Sequence, residues 1–232
     1  VFNNPEFHNG TSIAIASFFF AIQIYCDFSG YSDIAIGSAK TMGIDLMINF
    51  KQPYFARSIK DFWGRWHISL STWFRDYLYI PLGGSRVAEY RKHLNLLIVF
   101  VVSGVWHGAS WTFVIWGALH GLYRVMGMVT EKTRKKLISI VNLQNNRIVF
   151  CLETVFTVCL VTLTWIFFRA NSLQDAFSLL SNLTSFGEKP FLGDGTNGMA
   201  HCIFAILLLF AVEFKLEYLP NTLNFATHSS II

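Results

Sequence analysis

Charge is the scarcest commodity in this sequence. Asp, Glu, Lys and Arg make up 14% of its 232 residues, against about 25% in a soluble globular domain. A chain so poor in charge lacks the polar coat that water requires. Cysteines number four, Cys26, Cys151, Cys159 and Cys202, and no two form a CxxC pair. Neither a zinc site nor a disulfide framework is indicated, and all four read as small buried apolar side chains. No Lys/Arg-rich arm and no nucleic-acid module is present, which excludes nucleic acid as a partner. The scannable catalytic signatures are missing too: there is no GxSxG, P-loop, HExxH or GxGxxG. No metal site is indicated. No signal-peptide pattern opens the chain at Val1.

What is present is apolar and aromatic. Hydrophobic residues are 53% and aromatic residues 16% of the chain, and the mean hydropathy is +0.44. The apolar residues come in blocks, which a buried soluble core does not need, so the chain reads as an integral membrane protein. The fold class expected is all-α: a polytopic transmembrane bundle with a short or re-entrant helical hairpin and amphipathic interfacial helices. One membrane domain covers 1–232, with no internal repeat.

Candidate spans lie near 11–26, 94–106, 109–128, 148–168 and 199–214. Basic clusters place them. Arg86, Arg91, Lys92 and His93 precede the short run at 94–106, while Lys132, Arg134, Lys135, Lys136 and Arg147 follow residue 128. The positive-inside rule puts both clusters on the cytoplasmic side. The stretch between must therefore enter and return as a hairpin, turning near Gly104, His107 and Gly108. A broken hairpin at membrane depth survives only where protein or water satisfies its backbone. Residues 172–183 have helical apolar spacing and suit a short interfacial helix. The stretch 58–80 reads as one aromatic helix with Trp66, Leu70, Trp73 and Tyr77 on one face, Asp61 paired with Arg65, and His67 between Trp63 and Ser71. Pro81, Gly83 and Gly84 end it.

Ionisable residues at membrane depth are costly, and are functional candidates by default. His107 stands out: it sits in an apolar run beside Trp106, Trp111 and Trp116. A neutral imidazole there can take a proton from a hydroxyl nucleophile; the alternative is a histidine bonded to a backbone carbonyl that shapes the turn. His67 is the second candidate, with an interfacial packing role as its alternative. His120, one turn from Trp116 and Arg124, suits a structural or tunnel-lining role. Ser103 lies one turn before His107, but no acid completes a triad. Gln23, Asp27, Ser29 and Asp33 border the first apolar span, where helix packing and cavity lining are both open, and Gly30 and Gly37 allow close helix approach.

Four stretches carry a resemblance: "CDFSGYSDIAIG" (26–37), "DFWGRWHISLSTWFRDYLYIPLGGSR" (61–86), "VSGVWHGASWTFVIWGALHG" (102–121) and "TWIFFRA" (164–170). They resemble the membrane-bound O-acyltransferase family, and within it the bacterial alginate O-acetylation proteins and teichoic acid D-alanyl transferases. The resemblance implies a bundle of about ten or more spans around a tunnel, of which this chain would be a C-terminal portion. It implies that His107 is catalytic and that His67 is a second catalytic histidine. Trp63, Trp66, Ser103, Trp106, Trp111, His120 and Asp27 are then candidates to line the tunnel or the substrate. The implied reaction moves an acyl group, acetyl foremost, from a cytoplasmic thioester (acetyl-CoA or an acyl carrier) toward hydroxyls of an extracytoplasmic polysaccharide, directly or through a partner acyltransferase protein. No bound cofactor is implied. The place implied is the bacterial cytoplasmic membrane, crossed several times and in contact with its lipid. The competing readings are D-alanyl transfer to teichoic acid from a carrier-protein thioester, a passive transporter or channel using His107 and His120, and a non-catalytic export scaffold.

Overall fold

The computed structural model describes residues 1–141, 143, 146–185, 190–191, 193 and 195–219. Every regular element among the described residues is helical. Residues 1–191 form one compact unit and 192–232 a second. In the second, α8 (Gly195–Tyr218) is described.

The first unit opens with a 3-10 turn at Pro5–Phe7 and then α1 (Gly10–Thr41). Asn9 caps α1, its side chain accepting from the Ser12 amide at 2.9 Å. At about 1.5 Å per residue, α1 is about 48 Å long and exceeds a ~30 Å hydrocarbon core. The expected span 11–26 thus continues through the polar stretch 23–39 as the same helix. After a 3-10 turn at Pro53–Phe55 come α2 (Ile59–Arg65) and α3 (Ile68–Phe74), which passes into a π turn at Arg75–Tyr79. Next are α4 (Glu89–His107), α5 (Trp111–Ile140), α6 (Arg147–Arg169) and α7 (Leu173–Asn182). The helices expected at 94–106, 109–128, 148–168, 172–183 and 199–214 all form, most of them longer than expected.

By length and composition α1, α6 and α8 are apolar enough to cross a membrane. The outer face of α6 shows why. Ile148, Leu152, Val155 and Phe156 lie on its surface, a helical stripe of apolar side chains that water would reject. This corrects the expectation for the cysteines. All four are exposed, because in a membrane helix the small apolar residues need not turn inward.

α4 and α5 pack antiparallel over most of their shared length. Their basic ends, at residues 86–93 and 131–136, therefore lie together, as the hairpin reading requires. Close contact is set by two glycines. A Cβ at Gly104 would lie 2.3 Å from the Phe113 carbonyl oxygen, and one at Gly117 would lie 2.2 Å from that of Phe100. Gly30 and Gly37, by contrast, have nothing within 4 Å of a built Cβ among the described residues.

The core sits where α1, α2, α5 and α6 meet. Phe62, Trp66, Trp116 and Trp165 are buried there. Phe62 stacks on Trp66 at 5.5 Å between centroids, and Trp116 on Trp165 at 5.8 Å. Tyr54 donates from its hydroxyl to the Ala21 carbonyl, tying the loop before α2 to α1. Arg57 pairs with Glu153 of α6 at 2.7 Å.

Candidate active site

The helix expected to run unbroken through 58–80 is interrupted. α2 begins regularly, with the Ser58 hydroxyl accepting from the Asp61 amide and Arg65 reaching Asp61 at 2.7 Å. It stops at Arg65, and His67 takes a left-handed backbone with φ 44°. A non-glycine residue there is uncommon and needs its surroundings to hold it. Residues 49–51 supply the hold. The Lys51 amide donates to the Arg65 carbonyl (2.9 Å) and the Ile68 amide to the Asn49 carbonyl (3.1 Å). The Asn49 side-chain oxygen accepts from the Ser69 amide at 3.1 Å and its hydroxyl at 2.6 Å. The backbone groups freed by the break are thus satisfied. The break separates buried Trp66 from exposed Trp73 and Tyr77, so the single aromatic face expected for this stretch does not exist. The His67 ring meets that of Phe28 edge-on at 4.6 Å and lies 6.4 Å from that of Trp106.

His107 is the last residue of α4. The chain then turns at Gly108–Ser110, where the Ser110 hydroxyl accepts from the Thr112 amide and starts α5. His107 follows Gly104 by one turn, so the close helix crossing fixes its position. Its imidazole is boxed by the Trp106, Trp116 and Phe168 rings at 5.0, 5.1 and 5.2 Å.

His67 and His107 face the same cavity, about 680 Å³ in volume. Its walls come from α1, α2, α4, α5 and α6. Both rings are half-buried, and neither has a hydrogen bond among the described residues. Their nitrogens are available to whatever enters. Of the other predicted lining residues, Asp27, Trp63, Trp66 and Trp106 border this cavity. Ser103 borders a second, smaller pocket instead. Trp111 is 71% exposed and borders neither pocket. Phe28, Trp165 and Phe168 also line it and were not singled out from sequence, although "CDFSGYSDIAIG" and "TWIFFRA" contain them.

His120 borders neither pocket; it is fully buried behind the wall. Its Nδ1 accepts from the Trp63 indole Nε1–H at 3.2 Å, and its Nε2 lies 2.8 Å from the Thr164 hydroxyl. That hydroxyl donates to the Val161 carbonyl at 2.7 Å. An indole can only donate, so Nδ1 must be unprotonated and Nε2 carries the hydrogen, which it donates to Thr164. His120 is therefore a neutral strut that holds Trp63. Replacing it with alanine strands the Trp63 Nε1–H and leaves a hole among stacked rings. Thermal unfolding of the purified His120→Ala protein is expected to show a loss of about 3 kcal/mol or more; a change within about 0.5 kcal/mol would show that the strut carries no load.

Among the described residues no group of three His, Cys, Asp or Glu could hold a metal ion. The site's chemistry is that of two imidazoles in an aromatic enclosure.

The comparisons with known proteins bear on what that enclosure serves. A family model of the membrane-bound O-acyltransferases matches residues 3–187. A probable alginate O-acetylase of Pseudomonas putida is 43% identical over 173 residues, covering 73% of this chain and 33% of that protein. A peptidoglycan O-acetyltransferase of Helicobacter pylori is 41% identical over 189 residues, covering 81% and 32%. A teichoic acid D-alanyltransferase of Streptococcus thermophilus is 34% identical over 125 residues, covering 51% and 30%. The chain spans about a third of the length of these relatives. The matched stretch holds both cavity histidines and every helix that walls the cavity, and with it this chain belongs to the membrane-bound O-acyltransferase family of enzymes.

Proposed function

We propose that this chain carries the reacting centre of an enzyme that moves an acetyl group from a cytoplasmic thioester toward the hydroxyls of an extracytoplasmic polysaccharide, directly or through a partner protein. It does so while crossing the bacterial cytoplasmic membrane several times, with its basic hairpin ends on the cytoplasmic side. The observation that carries this reading is the meeting of His107 and His67 on one aromatic-walled cavity.

His107 is the general base. Its free ring nitrogen takes the proton of the acceptor hydroxyl as the oxygen bonds to the thioester carbonyl carbon. The tetrahedral centre then collapses, the carbon–sulfur bond breaks, and the imidazolium returns its proton to the departing thiolate. His67, on the same cavity, orients the acceptor or donates to the carbonyl oxygen as charge develops there. The ring of Trp and Phe side chains limits water, which would otherwise hydrolyse the thioester. The donor, acetyl-CoA or an acyl carrier, is a substrate, and no resident cofactor takes part.

Acetyl transfer is favoured because the named acetylases match more closely and over more of the chain than the D-alanyltransferases do. D-alanyl transfer stays as the second reading on one observation. Asp27 is the acidic side chain in the cavity wall, and it would attract the ammonium group of a D-alanyl ester. Mild alkaline treatment of surface polymers, from cells with and without the complete protein, tests both. Protein-dependent release of acetate supports the first reading and of D-alanine the second. Ester content that ignores the protein sinks acyl transfer altogether.

A further inference from the structure

We propose that Gln23 and Asp27 of α1 form an acceptor subsite in the catalytic cavity, one that admits a neutral saccharide segment and rejects a polyuronate. The proposal rests on the acetyl-transfer reading above, in which no ammonium group arrives to neutralise Asp27. Both side chains border the cavity together with His67 and His107. Spaced four residues apart on α1, they share a face. At about 1.5 Å per residue they lie roughly 20 Å or more from either end of that helix. Neither has a hydrogen bond or an ion pair among the described residues. A carboxylate and an amide left open at the middle of a helix apolar enough to cross a membrane are costly, and mark a substrate path.

The charge of the cavity is one-sided. Asp27 is the acidic residue of its wall, and no Lys or Arg borders it among the described residues. Most of the remaining wall is Trp and Phe rings, whose faces are themselves negative. A uronate approaching His107 would bring its carboxylate toward Asp27 with no cation to receive it. Like charges in an enclosure of low dielectric repel strongly enough to decide which ligand enters. A neutral sugar meets the opposite reception. Asp27 can accept from two hydroxyls, Gln23 can both donate and accept, and the C–H faces of the ring can lie against the indoles.

The same pair favours a saccharide over a lone hydroxyl. One hydroxyl goes to His107, and the neighbouring hydroxyls are what the polar stripe of α1 can hold. A seryl or tyrosyl side chain of a relay protein brings a single hydroxyl and would leave Gln23 and Asp27 empty. The cavity volume of about 680 Å³ falls within the roughly 300–1,000 Å³ of small-molecule sites. That is room for a sugar unit and part of its neighbour.

The test is equilibrium binding of matched tetrasaccharides to the complete protein in detergent, read from the fluorescence of the tryptophans that wall the cavity. A mannan tetrasaccharide and the corresponding mannuronate share ring stereochemistry and differ in carrying hydroxymethyl groups or carboxylates. Cellotetraose and its glucuronate counterpart repeat the comparison in a second series. Wild type is expected to prefer the neutral member of at least one pair by about tenfold or more. Added salt should improve binding of the acid, because screening relieves the repulsion. Asp27→Asn keeps the shape and removes the charge, so the preference should shrink to about threefold or less and the salt response should vanish. Gln23→Leu should weaken the neutral ligand by about tenfold and leave the salt response of the acid in place. A merely structural role for Asp27 would lower both affinities together and keep their ratio. Should Asp27→Asn fold poorly, the wild-type ratio and its salt response still decide. Equal affinity within each pair, a preference for the uronate, or no binding from either pair overturns the proposal. The two readings fail separately. A protein that binds neutral saccharides but leaves polymer ester content unchanged loses acyl transfer and keeps the subsite, whereas one that governs ester content without any preference does the reverse.

Discussion

His107→Ala is expected to lower acyl transfer by about 10²–10⁴-fold, the range a positioned general base contributes, with the protein still folded. That is a barrier increase of roughly 3–5 kcal/mol at 1.36 kcal/mol per tenfold. Folding should survive because the imidazole forms no hydrogen bond among the described residues and is half-buried. What is lost is edge contact with Trp106, Trp116 and Phe168. The measurement is ester released from surface polymers per amount of protein in the membrane. His67 needs a different control. Its backbone sits at φ 44°, where β-branched residues are strained and Asn is tolerated. His67→Asn therefore removes the imidazole with little added strain, and its loss of transfer, beside that of His107→Ala, ranks the two rings. A transporter would keep its flux in His107→Ala with an altered pH dependence. A scaffold would leave polymer acylation untouched, and that outcome would remove His107 from the chemistry.

Much of this arrangement can be read from residue order, and the exceptions share a cause. The long helices show themselves because each is an apolar run bounded by polar residues, and Asp61 with Arg65 pairs because four residues make one helical turn. These are local facts. The interruption at His67 is not local. Nothing between Ser58 and Ile80 forbids a continuous helix, and the break exists because Asn49 and Lys51, distant in sequence, supply partners for the freed backbone groups. The glycines teach the same lesson. Gly30 and Gly37 look like contact points beside an apolar span, whereas among the described residues it is Gly104, Gly117 and, at the start of α1, Gly10 that press closest on backbone. Which glycine is needed depends on which helix crosses it. His120 illustrates it once more: its spacing from Trp116 and Arg124 puts it on a polar stripe, but its partners Trp63 and Thr164 lie on other helices. The cysteines fail for another reason, since burial rules learned from water invert where the outer surface is apolar.

Gly117→Ala is expected to be among the most damaging of single-methyl additions to this chain. The new Cβ would fall 2.2 Å from the Phe100 carbonyl oxygen and 3.1 Å from the Gly104 amide nitrogen. Both are backbone atoms, so no side chain can swing aside and the helices themselves must part. Overpacking of a core costs about 1–3 kcal/mol, and a backbone obstacle belongs at the upper end. For a chain of this size, where 1 kcal/mol moves the unfolding temperature by about 2–4 °C, the expected fall is roughly 6–12 °C. Gly127→Ala on the same helix supplies the contrast. A Cβ there meets nothing within 4 Å, and exchanging a helical glycine for alanine should gain about 0.5–1 kcal/mol. Thermal unfolding of the two variants should therefore move in opposite directions. Activity should follow geometry as well as stability. Parting α4 from α5 carries His107 away from Trp116 and Phe168, and a displacement of about 1 Å at a reacting group can cost 10²-fold in rate. Gly117→Ala that unfolds like wild type would mean that the two helices are not in contact at Gly104 and Gly117, and the wall that places His107 would have to be built another way.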